Sequence, residues 1–140
     1  MPIHHKIKIL NELKEGCMKK SKLYKKRYKK LKKIDDITDF STSILNASSI
    51  SLIVSSITMP LLVIPSAVCS SLQFVIGQVQ NKVNLKNRYN RHLTTSYQYE
   101  QLAREILVVL SKNHLTNDQY GDYIQEVNDK ISLIQDSEIL

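Results

Sequence analysis

The chain has no tryptophan, and its 140 residues include two phenylalanines, three glycines, three prolines and two cysteines. So few glycines and prolines cannot supply the turns of a β-sandwich or an α/β fold of this length. A core, if present, is aliphatic with some tyrosine. Cys17 and Cys69 have neither metal spacing nor a redox motif, which fits a reducing compartment. Glycine-rich phosphate loops, GxSxG, HExxH and paired Cys/His ligands are all missing. No acid, base and nucleophile converge in the sequence, so the expectation is a non-enzyme with no catalytic residues, cofactor or metal. His4 and His5 could meet His114 at one end of the molecule, but ordinary polar helix ends explain them as well. The opening MPIHHKIKIL is too polar for a secretory signal.

Charge is present but unevenly placed. Residues 1–33 hold thirteen Lys/Arg against Glu12 and Glu15, a balance of +11; residues 34–140 hold seven against eleven, a balance of −4. A basic block of this density seeks phosphate or an acidic surface. Ile3, Ile7, Leu10, Cys17, Tyr24, Tyr28 and Leu31 form a three-four apolar stripe there, weakened at Lys14, Gly16 and Ser21. A basic helix over 1–39 follows from this pattern.

From Phe40 to Asn81 there is no charged residue over 42 positions. A soluble helix of about twenty residues normally carries charge on its solvated face, and two successive arms lack it here. Pro60 and Pro65 divide the run, which predicts two arms of about 20 residues bending at 60–65. Each arm spans about 30 Å, the thickness of a hydrocarbon core. Ile50, Ile53, Val54 and Ile57, the bend residues Leu61, Leu62, Val63 and Ile64, and Leu72, Val75 and Val79 are the expected lipid contacts. Ser48, Ser51 and Ser55 on one arm, and Ser66, Ser70 and Gly77 on the other, form small/polar stripes for close helix packing or a pore lining. The ten serines of the run count against independent insertion.

Beyond the tip, a return helix is predicted over 82–113 and a C-terminal amphipathic helix over 116–134. Thr116 with Gln119 forms a capping box, and Tyr120, Ile124, Val127, Ile131 and Ile134 share one face. The other face carries Asp118, Asp122, Glu126 and Asp129. A hairpin bent at Leu62 and Val63 pairs residues whose numbers sum to about 125. That register sets Asp39 near Lys86, Asp35 and Asp36 near Arg88 and Arg91, Glu100 near Lys25 and Lys26, and Glu105 near Lys19 and Lys20. It also forbids a bond between Cys17 and Cys69.

Lys25, Lys26, Arg27, Lys29, Lys30, Lys32 and Lys33 are the candidate phosphate or anionic-lipid contacts. Nucleic acid is the weaker alternative, since arginine is nearly absent from the block. The layout of a basic helix, two apolar arms and the segment Asn87 to Ile134, NRYNRHLTTSYQYEQLAREILVVLSKNHLTNDQYGDYIQEVNDKISLI, resembles SLATT-type two-transmembrane effector domains. It is also similar in layout to small membrane-active proteins of viruses and virus-like elements. The resemblance implies self-assembly and perforation of a bilayer.

The expected fold is therefore a single all-α domain, a long antiparallel helical hairpin with an apolar tip and a short C-terminal helix. The expected function is membrane association with homo-oligomerisation that perturbs an anionic bilayer, both termini lying on the cytoplasmic side. The alternative is a soluble coiled-coil oligomer, structural or part of a virion, touching nucleic acid through the basic helix.

Overall fold

The computed structural model describes residues 2–112 and 115–139, with side chains at all of these except 62, 80–83, 138 and 139. His114, and with it the three-histidine grouping, lies outside the described residues, as does the last residue of the predicted return helix, 113. Among the described residues the chain is all-helical, with no strand. Four α-helices, α1 (Ile3–Ser56), α2 (Val63–Val83), α3 (Leu85–Ser111) and α4 (Asn117–Ile139), are joined by a short 3-10 turn at Pro60–Leu62 and brief connections.

The boundaries differ from expectation in instructive ways. α1 runs unbroken through Asp35, Asp36 and Asp39, so the basic segment and the first apolar arm are one helix of 54 residues. Gly16 does not interrupt it, and no residue between Pro2 and Pro60 lacks a backbone donor. The break between the two arms covers 57–62, overlapping the predicted bend at 60–65 and starting three residues before it. α1 ends at Ser56, and Thr58 and Met59 donate backbone bonds to the Ser55 carbonyl. Met59 is extended (φ −132°, ψ 94°), as the residue before a proline must be, and Pro60 opens the 3-10 turn. Pro65 then sits in the first turn of α2, where its missing N–H would have had no helical partner.

A further break was not anticipated. α2 and α3 are separated at Asn84, the one non-glycine residue with positive φ among those described (45°). Asparagine tolerates the left-handed region better than most side chains. The helix restarts at once, with Asn87 and Arg88 donating to the Asn84 carbonyl. The C-terminal helix begins where the capping box places it. Thr116 N–H donates to Gln119 Oε1 (2.9 Å), and Gln119 N–H donates to Thr116 Oγ1 (3.3 Å). It continues to Ile139, five residues beyond the predicted end.

The residues separate into two compact units, 1–28 with 90–140, and 29–89. The first has a conventional core. Leu10, Cys17 and Tyr24 of α1, Tyr99, Leu102, Ala103 and Ile106 of α3, and Tyr120 and Val127 of α4 are buried together. Ile124, Ile131 and Ile134 pack on it from the predicted face of α4. α1 and α3 run antiparallel in this unit. Ser96 Oγ donates to the Ser21 carbonyl (3.0 Å) and lies 3.2 Å from Ser21 Oγ; Tyr24 stacks on Tyr99 at 6.0 Å and meets His92 at 5.7 Å. Ser21 therefore does not weaken the stripe. It is buried and satisfied, a polar position that specifies register at a cost in stability. The charge pairing foreseen from the hairpin arithmetic is not formed here. Glu100 binds Arg104 on its own helix, Glu105 binds Lys130 of α4 at 3.2 Å, and Lys20 donates to Tyr99 Oη instead.

Burial pushes the Cys17 thiol above its ordinary range, with nearby Lys20 opposing the shift. The Lys130 ammonium is held in its charged form above the usual range by hydrogen bonds to Glu126 and Glu105. Both cysteines are free thiols.

Candidate functional site: an apolar surface turned outward

The unit of residues 29–89 has the opposite polarity. Its buried residues, among those described, are Ser49 and Ser66 alone, at 5% and 8% exposure. Most of its large hydrophobic side chains are exposed, with Leu31, Leu45, Leu52, Ile76 and Leu85 half-buried. Ile57 is 82% exposed, Leu61 86%, and Ile50, Ile53, Val54, Val63, Ile64, Leu72, Val75 and Val79 are all exposed by about half or more. These are the expected lipid contacts; the Leu62 side chain is outside the described residues. Phe40, Ile44, Val68 and Phe74 join the same surface. Val63, Ile64, Ala67, Val68, Ser71, Leu72 and Val75 border a shallow apolar groove of about 480 Å³.

The shielded positions include a three-four repeat. On α1 it is Thr38, Thr42, Leu45, Ser49, Leu52 and Ser56, with Ser41, Ser48 and Ser55 half-buried beside it. The same repeat continues back through Asp35, Leu31, Tyr28, Tyr24, Ser21, Cys17, Lys14 and Leu10, each at least partly buried. A sustained spacing of 3.5 residues is the periodicity of a coiled-coil seam. On α2 the shielded line is Ser66, Cys69, Gln73, Ile76 and Gly77. The predicted stripes are thus displaced by one residue in places. Ser66 is buried and Ser48, Ser55 and Gly77 are half-buried, whereas Ser51 and Ser70 are exposed; Ser49 and Cys69 hold the packed positions beside them. Four of the six predicted small or polar positions are thus shielded, and the two exposed ones lie beside packed positions.

Most of these hydroxyls are satisfied within their own helix. Ser41, Thr42, Ser43 and Ser55 donate to carbonyls four residues back at 2.8 to 2.9 Å, and Ser70 and Ser71 do the same. Ser56, Thr58 and Ser66 bond three back. A hydroxyl bonded to its own helix costs little on leaving water, which removes much of the objection that the serines raise to insertion. Ser49 Oγ and Gln73 Nε2 are the exceptions in this unit, buried without a hydrogen-bond partner.

Below the apolar surface the polarity changes abruptly. Asp35, Asp36 and Asp39 of α1 line a cleft of about 530 Å³ with Asn84, Leu85, Lys86 and Tyr89. This bears out Asp39 and Lys86 as neighbours in one recess, while Arg88 is not among the lining residues. Lys29, Lys30, Lys32 and Lys33 are exposed just before it, as are Lys25, Lys26 and Arg27 in the other unit. Arg27 lies over the Tyr24 ring at 5.4 Å. Among the described residues no group of three or more His, Cys, Asp or Glu is placed to hold a metal ion.

By length and composition α1 qualifies as a membrane-crossing helix, and only 6% of its apolar window is buried. The charges confine that window to the stretch 36–56. The core helix of a soluble protein passes the same test but is mostly buried. α2 offers a shorter apolar stretch, Val63–Val79. No protein-family model, curated protein or solved structure matches the chain.

Proposed function

We propose that the chain is a membrane-associating helical hairpin whose unit 29–89 inserts its tip into a bilayer, while the unit built from both chain ends remains in water. The observation that carries this is the outward apolar surface of the tip: most of its isoleucines and valines are exposed, while the fully buried positions among the described residues are Ser49 and Ser66. In water such a surface is costly at about 25 cal/mol per Å² of apolar area. In hydrocarbon it costs nothing, and small inner residues let helices pack closely. Both ends of the hairpin then lie on one side, the side that favours lysine. Self-assembly through the tip, and perturbation of the bilayer as in the SLATT-type domains it resembles in layout, extend the same proposal.

The test is flotation of the full chain with liposomes. The parent floats, and Ile53→Asp with Leu72→Asp does not, because each charge at mid-bilayer costs about 3 kcal/mol. Equal flotation of the two proteins defeats the proposal. A monodisperse species in plain buffer, with no partition to vesicles, assigns the outward face instead to contacts between copies in a soluble oligomer.

A further inference from the structure

The tip of unit 29–89 is bordered by cations on both of its helical arms. Lys29, Lys30, Lys32 and Lys33 lie on α1, and Lys86 and Arg88 lie at the start of α3, all exposed. The cleft shared by Asp35, Asp36, Asp39, Asn84, Lys86 and Tyr89 brings the start of α3 beside the turn of α1 that directly follows these lysines. We infer that this collar is a binding surface for the phosphates of anionic phospholipids, which rests on insertion of the tip and adds to it the class of lipid.

Three observations favour that occupant. First, the charges balance in favour of an anion: six cations stand against the three aspartates. Lys29, Lys30, Lys33 and Arg88 neither line the acidic cleft nor form an ion pair among the described residues. Their charge is available. Second, the collar adjoins exposed hydrocarbon directly. Ile37, Phe40 and Ile44 follow the lysines within one to three helical turns, at 56%, 68% and 50% exposure. Phospholipid alone among common polyanions presents phosphate immediately beside an apolar phase, and a long lysine side chain spans that boundary with its stem on the apolar side. Third, Tyr89, half-buried, lines the cleft beside Lys86, and tyrosine is enriched at membrane–water interfaces. A nucleic acid would use the lysines but would leave the adjoining apolar surface in water.

The experiment compares partition of the full chain into vesicles of phosphatidylcholine alone and of phosphatidylcholine mixed with phosphatidylglycerol. Each lysine near an anionic surface contributes about 1 kcal/mol, so partition should rise by on the order of tenfold or more with phosphatidylglycerol and fall back at high salt. Lys29→Gln with Lys30→Gln and Lys33→Gln should remove most of that gain while partition into phosphatidylcholine stays unchanged. These positions are exposed, and unchanged helical circular dichroism checks the fold. A parent that binds both vesicle types equally overturns the collar and leaves the inserted tip standing, as does a triple variant that keeps the full gain. Duplex DNA that strips the parent from mixed vesicles at equal phosphate concentration also overturns it. Binding to neither vesicle removes the inserted tip, and the collar with it.

Discussion

The two units of this chain use the same helices to opposite ends. In the unit of residues 1–28 and 90–140, α1 buries Leu10, Cys17 and Tyr24 and exposes most of its lysines. In the unit of residues 29–89 the same helix shields Thr42, Ser49 and Ser56 and exposes Ile50, Val54 and Ile57. The 3.5-residue seam passes through both without a break; what changes is the chemistry on either side of it. A seam fixes which residues face a neighbouring helix. The solvent on the far side determines whether apolar groups belong at the seam or away from it.

The comparison can be broken first by truncation. Ile106→Ala in the buried core should cost about 2–5 kcal/mol in thermal or denaturant unfolding, whereas Ile53→Ala, 51% exposed, should leave the melt unchanged. Equal losses at both sites would mean that the tip packs as an ordinary core. A smaller effect is expected at the polar position of the seam. Ser96→Ala removes the bond to the Ser21 carbonyl and should cost about 1 kcal/mol in the same unfolding assay. An unchanged melt would show that this pair sets register without contributing stability. Cys17 sharpens the contrast by chemistry. Its buried thiol has a raised pKa, so at mildly alkaline pH it carries less thiolate than an ordinary cysteine and should resist alkylation in the folded protein. Rapid labelling of Cys17 would show that the core opens. Smallest is Gly16→Ala. Nothing lies within 4 Å of the added methyl group, and the position is mid-helix, so the substitution should stabilise the fold by up to about 1 kcal/mol.

Much of this was legible in the residues themselves. The all-helical class followed from sparse glycine and proline, the α4 cap from Thr116 and Gln119, and its docking face from the spacing of Tyr120, Ile124, Val127 and Ile131. Other features depend on information that periodicity does not carry. Charge counting could not see that Glu105 would find Lys130 on a third helix in preference to a lysine of α1. The kink at Asn84 hangs on one backbone conformation in a stretch with no proline or glycine to announce it. Among ten serines, those at the seam differ from those beside it only by a rotation of one residue, about 100°. With no proline between Pro2 and Pro60, nothing forces a break at Asp35 and Asp36, and propensity differences of under about 1 kcal/mol do not stop the 54-residue helix there.

The polarity of the tip is tested most directly by a nitroxide scan. Single spin labels are placed in turn from Ser48 to Ile57 in a chain whose two native cysteines are replaced by alanine, and oxygen accessibility is measured with the protein in liposomes. If the outward face meets lipid, accessibility oscillates with the helical period, with maxima at Ile50, Ile53, Val54 and Ile57 and minima at Ser49, Leu52 and Ser56. Maxima at Ser49 and Ser56, or a profile without helical oscillation, would contradict an apolar surface turned toward hydrocarbon.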